Sequence, residues 1–141
     1  MTKAVETYRG VVYPWQIDHV GHMNVQFYTA RFDEATWHLC VALGLTPAFL
    51  KTHRRGMAAL EQHTLYKREL HAGALIHITS ELLEMKAKTA RFVHRMHNSE
   101  TGEEVASSEL LAVFLDTDTR RTVPFPEEIL KSVGQFFPPA R

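Results

Sequence analysis

The segment that most narrows the possible folds is residues 25–42, "VQFYTARFDEATWHLCVA". Val25, Tyr28, Phe32, Ala35, Leu39 and Ala42 recur every three or four residues, which places them on one face of a helix. Asn24 stands at the N-cap position, Gly44 stands where chains leave helices in the left-handed conformation, and Pro47 follows shortly after. Roughly twenty helical residues extend about 30 Å, a full domain width. Phe27 and Trp37 lie off the main stripe, so the helix has apolar surface to bury on more than one side. Such a helix needs a sheet curved around it.

The rest of the chain supplies that sheet. "VETYRGVVY" (5–13) reads as a strand ended by Pro14. Four more strand patterns cover 56–70, 74–85, 89–98 and 103–116, with "HAG" as a turn and "NSETG" as a hairpin loop. The tail "PFPEEILKSVGQFF" reads as a short closing helix with Pro126 in its first turn. The order is strand, long helix, then four antiparallel strands, which is an α+β arrangement. A chain of 141 residues without repeats or linkers is expected to form one domain over 1–141. An open five-stranded sheet leaves edges to cover, so pairing with a second copy is expected.

Charge excludes some functions. Sixteen basic and sixteen acidic side chains balance, so no overall field recruits nucleic acid or an anionic membrane. The densest basic strip, 86–97, carries Lys86, Lys88, Arg91 and Arg95 without a carboxylate, and its residues suit either phosphate or a solvated strand face. Cys40, the single cysteine, lies among apolar residues and reads as a small buried hydrophobe. The longest strongly apolar run, "LLAVFL", is too short to span a bilayer, and no export signal is evident. The expected location is the cytoplasm.

The concentration of polar chemistry lies just before the helix, in "QIDHVGHMNV" (16–25). Metal binding by Asp18, His19 and His22 is disfavoured, because Gly21 implies a turn between the two histidines and no further ligand motif supports them. Two readings stay open. In one, Asp18 is a catalytic base or nucleophile beside unpartnered N–H groups at a helix start, which can stabilise an oxyanion. In the other, Asp18 and Asn24 merely cap those donors.

The stretch "DHVGHMNVQFY" (18–28) resembles the D-x-x-G-H-x-N-N-x-x-Y signature of hotdog-fold acyl-CoA thioesterases of the 4-hydroxybenzoyl-CoA thioesterase type, with Asp18, Gly21, His22, Asn24 and Tyr28 matching. "KTARFVHRMHNSETGEEVA" (88–106) and "VFLDTDTRRTVPFPEEI" (113–129) are similar to later parts of the same family. The sequence departs from the pattern at Gln16, where many relatives carry a second acid, and at Val25, the second asparagine of the pair. The resemblance implies a hotdog fold, a long central helix wrapped by a curved antiparallel sheet. It further implies hydrolysis of acyl-CoA to a carboxylate and free CoA, with sites at the interface of a homodimer or dimer of dimers. Asp18 would be the catalytic residue, with Asp33 and Glu34 on the helix as weaker substitutes. No cofactor is implied, because coenzyme A is part of the substrate.

For the rest of the site, Trp15, His22, Asn24, Tyr28, Glu61 and Tyr66 are the expected substrate contacts, and Lys88, Thr89 and Arg91 the expected CoA contacts. Trp37 is an aromatic further along the helix that could equally be core. Rings beside a carboxylate suit a short polar, cationic or aromatic acyl group, because a desolvated ring attracts a cation. A trimethylammonium-bearing thioester such as betainyl-CoA is one candidate. The alternatives are a non-hydrolytic hotdog protein that binds or senses acyl-CoA, or a hydratase or dehydratase recruiting His22 or His63.

Overall fold

The computed structural model describes residues 3–136. Strand β1 (Ala4–Val11) is followed by a single 3₁₀ turn at Pro14–Gln16 and then by helix α1 (Val25–Ala42), which is 18 residues long. Helix α2 (Pro47–His53) leads into strands β2 (Arg55–Tyr66), β3 (Leu75–Met85), β4 (Thr89–Asn98) and β5 (Glu104–Asp116). Helix α3 (Glu127–Ser132) and a 3₁₀ turn at Val133–Phe136 close the described chain. The five strands form one antiparallel sheet in the order β1-β3-β4-β5-β2. Both edges, β1 and β2, are therefore open.

The helix ends follow the expected chemistry. Asn24 accepts the Gln26 N–H through its side chain. At the other end the Leu45 N–H reaches the Cys40 carbonyl and the Gly44 N–H reaches that of Val41, the paired bonds of a Schellman motif. Gly44 itself sits at φ +94°. Of the expected stripe, Tyr28, Phe32, Ala35 and Leu39 are buried, whereas Val25 and Ala42 at its ends are exposed. Trp37 remains 44% exposed, so one flank of α1 is uncovered in the single chain.

Several boundaries differ from the sequence expectation. The first strand stops at Val11 rather than residue 13, because Tyr13 becomes the N-cap of the 3₁₀ turn. β2 ends at Tyr66 rather than 70, since Lys67 and Arg68 both turn their N–H groups onto the Val105 carbonyl. Pro126 is the N-cap of α3 rather than a first-turn residue, and Phe137 of the expected closing helix lies outside the described residues. α2 was not anticipated, although Thr46 caps the Phe49 N–H and Pro47 occupies the first position.

The core between α1 and the sheet has two apolar parts. One centres on Leu39, Leu82, Phe92, Leu110 and Phe114, the other on Tyr28, Phe32, Ile78, Met96 and Ala106. Between them runs a polar row on the helix-facing side of all five strands: Thr7, Ser80, His94, Ser108 and Thr64. His94 has no exposed surface, and burial pushes its pKa down to about 4, so it is neutral.

Side-chain bonds link this row to the helix. The Thr36 hydroxyl contacts both the Phe32 carbonyl (3.1 Å) and His94 Nε2 (2.8 Å). His94 Nδ1 lies 2.5 Å from the Ser80 hydroxyl. Ser80 in turn bonds Thr7 at 2.7 Å, and Thr7 also approaches the Ile78 carbonyl at 3.4 Å. The chain of bonds connects β1, β3 and β4 to α1 and ties the helix to the sheet at one point.

Candidate active site

The stretch before α1 folds into a tight loop closed by the antiparallel bridge between Ile17 and Met23. The Gly21 N–H bonds the Asp18 carbonyl (3.0 Å), and the Asp18 N–H bonds the His22 carbonyl (3.2 Å). Gly21 lies at φ +100°, where a side chain would be strained. Gln16, at the position of the family's extra acid, is buried and structural. Its side chain accepts the Tyr13 N–H, and its carbonyl accepts the Asn24 N–H.

This loop fixes the Asp18 carboxylate from two sides. Oδ1 accepts the Val20 N–H and Oδ2 accepts Asn24 Nδ2, each at 2.8 Å. These bonds, the Asn24 amide foremost and then the Val20 amide, hold its pKa below the ordinary carboxylate range. Each oxygen keeps a further lone pair. Asn24 therefore serves as helix cap and as carboxylate clamp together. Its bonds also take up the helix start: the Gln26 and Phe27 N–H groups are both spent on Asn24. Val25 is the first-turn residue whose N–H has no protein partner among the described residues. The expected set of several free donors thus reduces to one.

Beside the loop opens a cavity of about 180 Å³, lined by His22, Met23, Val25, Tyr28, Tyr66, Lys67, Arg68 and Glu69. It brings together three of the expected contacts, His22, Tyr28 and Tyr66. The two tyrosine rings meet edge to face, 5.2 Å apart at 86°. Tyr28 is buried, donates to the Arg68 carbonyl at 3.3 Å, and has its pKa pushed up to about 12, first by burial and then by Tyr66 and Glu69.

Other expected residues fall elsewhere. Trp15 is 71% exposed and stacks on Tyr13 with centroids 4.5 Å apart, away from the cavity. Glu61 pairs in register with Leu111, next to the buried Leu110 and Ala112, and so points to the sheet face opposite α1. The carboxylate that does line the cavity is Glu69, which the sequence reading missed because it sits in the charged run "YKREL" with no motif around it. Asp33 lies in a different groove, of about 260 Å³ between α1 and β2, and Glu34 pairs with Arg31 at 3.1 Å. Cys40 is buried as expected.

The basic strip is largely neutralised. Arg91 pairs with Glu109 (3.2 Å), Lys86 with Glu84 (3.7 Å), and Arg95 with Glu81 and Glu104. Lys88 is exposed just before β4, and Thr89 begins that strand half-buried. No group of three His, Cys, Asp or Glu side chains among the described residues is arranged around a common metal position.

With this geometry in view, the sequence model of the Thioesterase-like superfamily matches residues 12–133. The chain belongs to this superfamily. It is 28% identical over 133 residues to the betainyl-CoA thioesterase of Pseudomonas aeruginosa, covering 94% of this chain and 84% of that protein. Among solved structures, a protein of Staphylococcus aureus in complex with CoA superposes with a TM-score of 0.87 at 20% identity, covering 96% of this chain and 85% of the other. A 1,4-dihydroxy-2-naphthoyl-CoA thioesterase from Synechocystis gives a TM-score of 0.77 at 13% identity over 92% of this chain and 94% of its own. These two likenesses show the shared fold.

Proposed function

We propose that the protein is an acyl-CoA thioesterase that hydrolyses a short polar, cationic or aromatic acyl-CoA to the carboxylate and free CoA. The observation that carries this reading is Asp18, held ionised by two donors in the loop whose His22 and Met23 line a small cavity, in the same segment that leads to the free Val25 N–H at the helix start. Membership of the superfamily and the betainyl-CoA thioesterase relative support the same reaction.

The chemistry follows from what the loop provides. The lowered pKa makes Asp18 a poor proton acceptor but leaves it fully ionised, which favours attack on the thioester carbonyl over activation of a water. A carboxylate oxygen adds to the carbonyl carbon, and the oxyanion forms at the Val25 N–H, favoured by the positive end of α1. Collapse expels CoA as a thiolate, a leaving group of low enough pKa to need no strong general acid. Water then cleaves the resulting anhydride, releasing the acid and restoring Asp18. His22 and Asn24 shape and clamp the loop.

We read the architecture as a hotdog fold in which α1 is the helix that the curved sheet wraps, within one domain. In this reading two copies pair as a homodimer, or as a dimer of dimers, along the open β2 edge. The support is the apolar surface left exposed there, Leu60, Leu65 and Tyr66, together with Trp37 and Val41 on α1. Lys88, Thr89 and Arg91 are proposed CoA contacts, with Lys88 best placed because it has no carboxylate partner among the described residues. A cytoplasmic location and independence from any cofactor complete the proposal. No described helix is long and apolar enough to cross a membrane.

Hydration or dehydration has less support. It requires a histidine and an acid acting together, yet His22 Nε2 stands 4.0 Å from Glu69, and His63 lies on the sheet face away from the cavity. The deciding experiment is incubation with a panel of acyl-CoAs and a thiol-reactive dye. Release of free thiol from short acyl-CoAs is expected. A shifted melting temperature without thiol release would instead identify a binding protein.

A further inference from the structure

We infer that Glu69, with the Tyr28–Tyr66 corner, selects for a positive charge on the acyl group, a quaternary ammonium in particular; this rests on the thioesterase reading above and deepens it. The argument begins with the two rings. Centroids 5.2 Å apart at 86° make a re-entrant corner with walls at nearly right angles. A ring face is the negative side of the aromatic quadrupole, so the corner favours a cation over a neutral group of the same shape. Tyr28 stays a neutral phenol throughout the working pH range, because burial raises its pKa to about 12.

The charges around the corner complete the case. Lys67 and Arg68 also line the cavity and would repel a cation if they faced it freely. Both are paired with carboxylates, Lys67 with Glu104 and Arg68 with Glu103 at 3.2 Å. Glu69 is not neutralised in this way. Among the described residues its ionic neighbours are His22 at 4.0 Å and His71 at 3.8 Å, both beyond hydrogen-bonding distance. The cavity therefore holds two aromatic walls and one carboxylate without a close cation. A quaternary ammonium carries no N–H to be left unsatisfied, and its methyl groups match the apolar Met23 and Val25 on the remaining side. The volume of about 180 Å³ suits such a headgroup.

The test compares two thioesters of the same shape. Trimethylammonioacetyl-CoA and tert-butylacetyl-CoA differ only in nitrogen against carbon, so their ratio of kcat/KM isolates charge. The wild-type enzyme is expected to favour the cationic substrate by about ten-fold or more. Glu69→Gln, at an exposed position that should not disturb folding, is expected to lower that ratio about five-fold through KM. Tyr66→Leu should lower it further, while Tyr66→Phe, which keeps the ring, should restore most of it. Hydrolysis of both thioesters with no preference, or a ratio unchanged in Glu69→Gln and Tyr66→Leu, would overturn the inference and leave the thioesterase reading standing. Hydrolysis of neither by the wild-type protein would overturn both.

Discussion

His94 makes the stability of this fold depend on pH between about 4 and 6.5. The folded protein holds its pKa at about 4 by burial, against 6.5 for an ordinary histidine. The unfolded chain therefore takes up the proton first as pH falls. The stabilisation is complete above about pH 6.5 and is lost progressively down to about pH 4. At 1.36 kcal/mol per pH unit that interval amounts to roughly 3 kcal/mol. No discount for solvent applies, because His94 has no exposed surface. Against a total stability of about 5–15 kcal/mol, the loss is large.

Asp18 and Asp116, also held low by hydrogen bonds, contribute in a separate range. Their stabilisation is lost only as pH falls through and below the ordinary carboxylate value of 3.8. His77, whose pKa burial also lowers, contributes in the same direction, so urea unfolding at about pH 7 and pH 4.5 is read as the difference between the wild type and a His94 variant. His94→Gln removes the titrating group while keeping an amide able to donate to Thr36. It should cost about 1–3 kcal/mol at neutral pH, because the buried Ser80 hydroxyl loses its partner, but should reduce the pH dependence. Parallel pH profiles for the wild type and His94→Gln would refute the argument, as would an NMR titration showing His94 protonated near pH 6.

Three further outcomes are expected. Asp18→Asn should lower kcat by ~10²–10⁴-fold in acyl-CoA hydrolysis, measured below a melting temperature that drops somewhat with loss of the Asn24 bond; full activity would remove Asp18 from the mechanism. Gly44→Ala should cost about 1–2 kcal/mol in urea unfolding, since it places a side chain at φ +94° and its Cβ 2.9 Å from Ile129 Cδ1. Lys88→Ala should raise KM for acyl-CoA with kcat little changed, and the effect should shrink with added salt; an unchanged KM would leave Lys88 as a solvated side chain.

How far the sequence revealed this molecule depended on whether each feature had a local cause. α1 was legible because its stripe, its Asn24 cap and its Gly44 exit are all set within a few residues of one another. The strands after residue 74 were legible for the same reason, their turns being written in Gly73 and in the Asn98–Gly102 loop. The polar row was not, because Thr7, Ser80, His94, Ser108 and Thr64 come from five separate strands and meet only through sheet order. Only the side of the sheet could be inferred locally, since His94 must face away from Arg91 and Arg95 on a strand.

Which acid joins the tyrosine pair is decided by strand geometry. Glu61 and Tyr66 are five residues apart on β2, and a period of two puts them on opposite faces. The irregularity in that strand lies between Ala59 and Glu61, outside the interval, so it cannot bring them back together. Expecting both in one pocket conflicted with the strand's own geometry. Glu69 reaches the tyrosines by a different route: β2 ends at Tyr66, and the chain doubles back over the cavity before the buried Leu70 carbonyl accepts the Met23 N–H at 2.8 Å. That bond, with His71 Nδ1 at 3.2 Å from the Gly21 carbonyl, joins the segment carrying Glu69 to the loop carrying Asp18. Charge selection and the proposed nucleophile are therefore held on a common frame, and a change that loosened the Met23–Leu70 contact should impair substrate preference and turnover together.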